Sequence, residues 1–398
     1  MWQKIKNIYH LLTAFVAAAY FNFPSKKLTV IGVTGTDGKT TTVNMIYHIL
    51  KQAGKKVSMI SSVNAQIGDK IYDTGFHVTT PDPWQIQKYL KQAVESDSQY
   101  FVLEATSHGL DQNRLAFVDF KIGAITNITH EHLDYHKTWV NYALAKSKLF
   151  TKSKISILNK DEKKSFLFLK DKVGGQIISY AKSNEADVSL KKYPLKLQIP
   201  GSFNLSNALA ATAVCKALKV NRETILDSLS NFKGVIGRLD EVDLGQDFRV
   251  IIDFAHTPNG LKNALTTLKA QLESNKSKLI AVFGAAGERD KPKRQLMGKV
   301  ADQISDIIVL TAEDPRSEKV DEICEQITRG ITSKKEGQGY FVIVDRKDAI
   351  QFAINLAKKD DVVATFGKSH EKSMTYGKKD YPWNEFAVVK KAIKNRLK

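Results

Sequence analysis

The chain has 398 residues, 42% hydrophobic and 26% charged, the composition of a soluble globular protein with room for two to three domains. Its two cysteines, Cys215 and Cys324, are too few for a disulfide framework or a zinc site, and fit apolar helix packing in a reducing compartment. The formal charge of +18 raises nucleic acid or an anionic membrane as partners, but the lysines are spread along the chain, no nucleic-acid module signature is present, and polyanionic small substrates account for the balance.

In chain order, residues 1–23 carry two early lysines and an apolar stretch over 11–23, shorter than the ~20 residues a spanning helix needs. The segment reads as a short packing helix, with an interfacial helix as the alternative, and no membrane contact is expected. Short apolar runs at 28–33, 56–60, 100–103, 122–126 and 155–158 read as strands, with helix-length segments at 40–53, 83–95 and 140–150 between them. The alternation resumes with strands at 250–253, 279–283, 307–310, 341–344 and 362–366 and helices at 260–272, 293–303, 321–331 and 346–358. Strands alternating with helices imply parallel sheets covered on both faces. The expected division is a helical segment 1–27, an α/β unit 28–236 and a second α/β unit 237–398, punctuated by Gly234 and Gly237. The lysine-rich stretches 160–164 and 191–196 read as solvated surface.

The strongest local signal is Gly32-Val33-Thr34-Gly35-Thr36-Asp37-Gly38-Lys39-Thr40-Thr41-Thr42, after a strand and opening a helix. Glycines let backbone N–H groups close on phosphate oxygens, and a helix N-terminus adds partial positive charge. Lys39 is expected on the outer phosphates and the Thr40 hydroxyl on Mg²⁺. The loop has one residue more than the usual spacing. Glu104, at the C-terminal edge of a strand, stands where a second metal ligand belongs, and Gln112 and Arg114 could orient an anionic substrate. The histidines of His130-Glu131-His132-Leu133-Asp134-Tyr135-His136 do not read as zinc ligands, because no cysteine and no HExxH spacing accompanies them. Four further polar clusters end strands of the second unit: Asp253–Asn259, Gly284–Lys291, Glu313–Arg316 and Gly367–Glu371. Four such clusters in one domain line one crevice of an open sheet.

Together these motifs resemble the Mur ligase superfamily, and within it the MurE, tripeptide-synthetase type, from about Leu28 to the C-terminus. The resemblance implies a central P-loop-type ATPase domain with a mostly parallel sheet and a Rossmann-like C-terminal α/β domain. It implies an ATP-dependent, ADP-forming acid–amino-acid ligase of cell-wall synthesis, in the cytoplasm and monomeric. Such an enzyme adds meso-diaminopimelate, with L-lysine second, to UDP-MurNAc-L-Ala-D-Glu through an acyl phosphate. It implies ATP contacts at Gly35, Thr36, Asp37, Gly38, Lys39, Thr40, Thr41, Asn127, Asn204, Arg238, Asp253 and His256. Thr40, Glu104, His132 and Lys146 would serve Mg²⁺, the last as a CO₂-derived carbamate. Thr79, Thr80, Thr106, Gln112 and Arg114 match the acceptor site, the nucleotide-sugar peptide being the expected partner. Arg289, Asp314, Arg316, Gly367 and Glu371 match the amino-acid pocket. Lys39, Lys146, His132 and Glu104 are the expected catalytic set.

The family pattern has Asn where Asp37 stands, Ser where Thr106 stands, and Asp-Asn where Glu313-Asp314 precedes Pro315. Family members also carry an N-terminal domain of roughly one hundred residues that grips the uridine nucleotide. Here the first strand begins near Leu28, so the nucleotide end is held differently or the acceptor is not a UDP-sugar. The alternatives are a folylpolyglutamate-synthase-like ligase, which shares the ATP half, and a non-catalytic ATP-binding partner of cell-wall enzymes.

Overall fold

The computed structural model describes residues 2–72, 80–129 and 131–398. Thr79 and His130 lie outside these residues. The chain forms two compact units that divide at Lys233/Gly234, three residues before the division expected from the sequence, and residues 131–135 pack with the second unit.

The first unit opens with helix α1 (Trp2–Tyr20), inside the helical segment 1–27 expected from the sequence, and a 3₁₀ turn, Pro24–Lys27. There follow β1 (Thr29–Thr34), α2 (Lys39–Gln52), β2 (Val57–Ile60), β3 (Ala65–Ile67), β4 (Lys70–Tyr72), α3 (Pro83–Glu95), β5 (Tyr100–Glu104), α4 (Ser107–Asp111) and β6 (Phe120–Ile125). After the short α5 (Leu133–His136) come α6 (Trp139–Phe150), β7 (Ile155–Asn159), α7 (Lys163–Lys170), β8 (Gln176–Ala181), β9 (Val188–Ser189), α8 (Ser202–Ala217) and α9 (Arg222–Ser230). Nine strands form one sheet in the order β4-β3-β2-β5-β1-β6-β7-β8-β9, parallel except where β3 pairs antiparallel with β2 and β4. Val30, Ile31 and Val33 are all wholly buried, as in a strand covered on both faces. The chain leaves β1 with β5 on one side and β6 on the other, so the loop after β1 opens into the crevice at the strand ends.

The second unit contains β10 (Asp240–Glu241), β11 (Arg249–Asp253), α10 (Pro258–Lys269), β12 (Leu279–Phe283), α11 (Pro292–Ile304), β13 (Ile307–Leu310), α12 (Val320–Thr328), β14 (Tyr340–Val342), α13 (Arg346–Leu356), β15 (Val362–Phe366), the hairpin β16 (Ser373–Tyr376) and β17 (Lys379–Pro382), and α14 (Glu385–Leu397). Its six-stranded sheet runs β10-β11-β15-β12-β13-β14, with only β10 antiparallel.

Capping explains several helix starts. The Asp82 carboxylate accepts from the N–H groups of Trp84 and Gln85 (2.9 and 3.1 Å) ahead of Pro83, and Thr257 accepts from Gly260 N–H (2.9 Å) ahead of Pro258. The second cap starts α10 two residues before the expected 260. The strand expected at 341–344 is shorter and begins at Tyr340, because the Asp345 cap on Lys347 and Asp348 turns the chain into α13.

Candidate active site

In the first unit the loop from Gly35 to Gly38 is built around two close approaches. Gly35 and Gly38 take φ of +150° and +82°. A Cβ on Gly35 would meet Thr126 Oγ1 at 1.8 Å, and one on Gly38 would meet Asn207 Oδ1 at 2.2 Å, so only glycine fits at either place. The strand end after β6 clamps the loop. Thr36 N–H donates to Asn127 O (2.9 Å), Asp37 N–H donates to Asn127 Oδ1 (3.0 Å), and Asn127 Nδ2 and Thr126 Oγ1 donate to Asp37 O (3.1 and 2.6 Å). Asp37 therefore serves the loop through its backbone. Lys39 Nζ folds back onto Thr36 O (2.8 Å), which keeps the cation over the loop. Thr41 is buried in the first turn of α2. A cradle that tolerates no Cβ, opening a fourteen-residue helix with a lysine in its first turn, fits a polyphosphate.

Beside it, Thr40 Oγ1 donates to Glu104 Oε2 (3.1 Å), lies 2.8 Å from Ser62 Oγ, and Ser62 N–H donates to the same carboxylate oxygen (2.9 Å). The register of β1 and β5 sets Glu104 level with Val33, at the mouth of the loop. This cluster of hard oxygens suits Mg²⁺. Among the described residues no group of three or more His, Cys, Asp or Glu is arranged to hold a metal. Ser62 was not singled out by sequence. It lies in a bend after β2 that no motif marks.

Lys146, almost wholly buried on α6, donates from Nζ to Gly35 O (2.7 Å) and lies 4.4 Å from the centroid of the Tyr142 ring. Tyr142 also approaches Thr36 Oγ1 through its hydroxyl (3.1 Å). His132 has a left-handed backbone (φ 56°) and lies in the stretch that packs with the second unit, where its Nδ1 is 3.8 Å from Glu131 Oε1. The same Glu131 oxygen pairs with buried Lys293 (3.2 Å). His136, by contrast, belongs to the first unit, with Nε2 3.1 Å from Ser107 Oγ.

Four of the five acceptor-site positions are brought together. Thr80 Oγ1 donates to Glu104 O (3.1 Å) and lies 2.9 Å from Thr106 Oγ1, while Arg114 donates to Thr80 O (3.0 Å) and Gln112 Oε1 (2.6 Å). Thr79, the fifth, is outside the described residues. Asn204, on α8, is linked to the phosphate loop through Asn207, which lies beside Gly38 and whose Nδ2 donates to Asn204 Oδ1 (3.3 Å).

In the second unit the Asp253 carboxylate accepts from Leu239 N–H (2.7 Å) and Ala255 N–H (2.8 Å), and its carbonyl accepts from Gly367 N–H (3.1 Å). It thus fixes the turn that carries Arg238. The Arg238 guanidinium lies 4.7 Å from the Phe254 ring centroid, and Phe254 packs between His256 and His370, both at 4.8 Å. Phe254 was not expected to take part. It makes the platform that gathers two expected residues.

The amino-acid set also converges. Arg289 is exposed to solvent, yet partial desolvation first, then the neighbouring Arg316 guanidinium, lowers its pKa. Arg316 donates to Gly287 O (2.5 Å) from a backbone held at φ 52°. Asp314 Oδ1 accepts from Lys368 Nζ (2.8 Å) and Thr375 N–H (2.9 Å), and Lys368 also pairs with Glu371. Burial alone would lower the Lys368 pKa, but Glu371 and then Asp314 outweigh it and hold the ammonium charged. Gly367, at φ +98°, packs against Glu313, whose Oε2 has no hydrogen-bond partner among the described residues. Burial pushes the Glu313 carboxyl up to about 8. Behind both loops, Arg346 donates to Ala312 O (3.1 Å) and Phe366 O (2.8 Å) and forms a bidentate pair with Glu385 (2.6 and 3.0 Å). That clamp ties the ends of β13 and β15, the strands from which Asp314 and Gly367 emerge.

The comparisons with known proteins agree with one another. Residues 33–215 match the Mur ligase middle domain, and 237–369 match the Mur ligase, glutamate ligase domain. The chain is 38% identical to a UDP-N-acetylmuramoyl-L-alanyl-D-glutamate–2,6-diaminopimelate ligase of Caldanaerobacter subterraneus, over 96% of this chain and 81% of that protein. It is 39% identical to a UDP-N-acetylmuramyl-tripeptide synthetase of Borreliella burgdorferi, over 94% and 78%. A solved diaminopimelate ligase structure superposes with a TM-score of 0.60 at 28% identity, covering 93% of this chain and 79% of that one. Folylpolyglutamate synthase of Mycobacterium tuberculosis shares the fold alone, at 14% identity with a TM-score of 0.68 over 91% of this chain and 96% of that one. Both family domains, and relatives matched over about four fifths of their own length, lead to one conclusion: the chain belongs to the Mur ligase family of ATP-dependent ligases.

Proposed function

We propose that the enzyme joins meso-diaminopimelate to UDP-MurNAc-L-Ala-D-Glu. The relatives' names support this reading, and the observation that carries it is the close pair Arg289 and Arg316. Two guanidiniums carried at the ends of the neighbouring strands β12 and β13 suit a distal carboxylate and repel the ammonium of lysine. In this reading residues 28–236 serve ATP and the acceptor, residues 237–398 serve the amino acid and add Arg238, Asp253 and His256 for the nucleotide, and a cytoplasmic monomer is sufficient.

Lys39 and the amides of the Gly35–Thr40 turn would hold the triphosphate, and Thr40 and Glu104 would hold Mg²⁺. Bound together, these supply the phosphoryl group that converts the acceptor carboxylate to an acyl phosphate and the positive charge that offsets the crowded oxygens. Thr80, Thr106, Gln112 and Arg114, with Thr79, would orient the acceptor. Asp253, through the turn it braces, holds Arg238, and with His256 and Asn204 this group would meet the nucleotide. Asp314, Gly367 and Glu371 would seat the amino-acid head beside Arg316. Positioning and fixed charge carry most of the rate in such a site. His132 and Lys146 complete the proposed catalytic set. Carbamylated Lys146 would keep one N–H, enough to preserve its bond to Gly35 O while the new carboxylate supports the metal site. A ¹³C resonance from labelled bicarbonate, absent in Lys146→Met, tests that modification.

The reading as a whole is tested with purified enzyme, ATP, Mg²⁺, UDP-MurNAc-L-Ala-D-Glu and a panel of amino acids, followed by phosphate release and product mass. Diaminopimelate should be preferred. A clear preference for lysine would overturn the amino-acid assignment, and phosphate release only with folate and glutamate would overturn the acceptor.

A further inference from the structure

Helix α1 is amphipathic in the reverse of the usual sense. At about 100° per residue, Ile5, Ile8, Tyr9, Leu12, Val16 and Tyr20 share one face. All six point outward, 54–71% exposed. The opposite face packs on the first unit with small and polar groups. Ala14, Ala17 and Ala18 are wholly buried, Asn7 Nδ2 donates to Asp111 O (3.1 Å), and Asn113 Nδ2 donates to Asn7 O (3.3 Å). These bonds fix the rotation of the helix, so its bulky side chains cannot turn inward. A single exposed leucine needs no explanation, whereas a continuous stripe along about 22 Å of helix marks a contact surface.

Charge and aromatic placement decide what covers it. The first 36 residues contain Lys4, Lys6, Lys26 and Lys27 and no aspartate or glutamate. Lys6 flanks the stripe, and Lys26 and Lys27 lie exposed in the turn after the helix. At the same end the Tyr20 ring packs on Trp84 (5.0 Å), itself partly exposed, and tyrosine and tryptophan favour the headgroup layer of a bilayer. Two copies of this acid-free segment would repel one another across a dimer. No described helix is long and apolar enough to cross a membrane, so α1 would lie on one.

We propose that α1 is an interfacial helix that seats the first unit on an anionic bilayer surface. Its apolar stripe enters the headgroup–acyl boundary and the lysines meet headgroup phosphates. This goes against the absence of membrane contact expected from the sequence, and it does not rest on the choice of ligase substrate.

The test is co-sedimentation of the full chain with vesicles of three parts phosphatidylcholine to one part phosphatidylglycerol, and with phosphatidylcholine alone. The wild type should partition to the anionic vesicles and be released by salt. Leu12→Glu/Val16→Glu should lower partitioning by about tenfold or more, and Lys6→Glu/Lys26→Glu/Lys27→Glu should weaken it on anionic vesicles only. Because these side chains are exposed, melting and ATP turnover in solution should be unchanged. Absent binding, or equal binding by wild type and Leu12→Glu/Val16→Glu, overturns the proposal. So does concentration-dependent self-association without vesicle binding that Leu12→Glu/Val16→Glu abolishes, which would assign the stripe to a second copy.

Discussion

The two units solve the same problem, fixing loops at the ends of a parallel sheet, by different chemistry. In the first, the phosphate loop is held by backbone amides, hydroxyls and amide side chains from Thr126, Asn127 and Asn207, and the close contacts are steric. In the second, the loops carrying Asp314 and Gly367 rest on buried charges: Arg346 with Glu385, Lys368 with Asp314 and Glu371, and Lys293 with Glu131. A cradle for an incoming polyanion must keep its own donors available, so neutral acceptors brace it from behind. A pocket for a zwitterion needs both signs of charge, and each must be paired to be buried at all.

That contrast can be broken most forcefully at Arg346. Arg346→Met strands a buried glutamate and should cost about 3–5 kcal/mol in urea unfolding. Arg346→Lys should recover part of this, and its residual defect should appear in KM for the amino acid more than in KM for ATP. Lys39→Ala in the first unit should leave unfolding nearly unchanged and lower kcat for phosphate release about 10²–10³-fold. Gly38→Ala forces a Cβ into φ +82° and onto Asn207, and should weaken nucleotide binding with a stability loss of about 2 kcal/mol. Adding Asn207→Ala should restore roughly half, because the steric part is removed and the backbone part remains. If the double variant is no better than Gly38→Ala, contact with Asn207 is not what excludes a side chain there.

The most gradual effect is a pH slope at Glu313. Its carboxyl is raised from an ordinary 4.5 to about 8, so between those values the folded chain holds a proton that the unfolded chain has released. Stability from this group is therefore present in full below about pH 4.5 and is lost as pH rises to 8, by at most about 1.4 kcal/mol per pH unit. Glu313→Gln cannot titrate and should flatten that part of the melting profile. Identical slopes in the two proteins would show that Glu313 is ionised in the fold.

Most strand positions and the motif at each strand end were legible, because a buried parallel strand is a short apolar run and its polar residues collect where the run stops. Strand 279–283 and helix 83–95 have the bounds expected. The hairpin β16–β17 was missed, since Lys379–Pro382 has no apolar alternation and only Gly377, at φ +59°, signals the turn. Helix α8 was read only as a helical pattern around Cys215, without bounds: Ala208 to Ala213 is buried on every side and shows no amphipathic period. Ser62, Tyr142 and Phe254 escaped because each serves the site through a neighbour distant in sequence.

What the sequence alone determined is the order of strands and loops and the residue types at each strand end, since those follow from local periodicity, glycine freedom and capping. Only the tertiary structure decided which charges neutralise one another, that residues 131–135 pack with the second unit, and that α1 turns its bulky side outward. Those outcomes depend on register, burial and pairing between groups far apart in the chain, which no local pattern encodes.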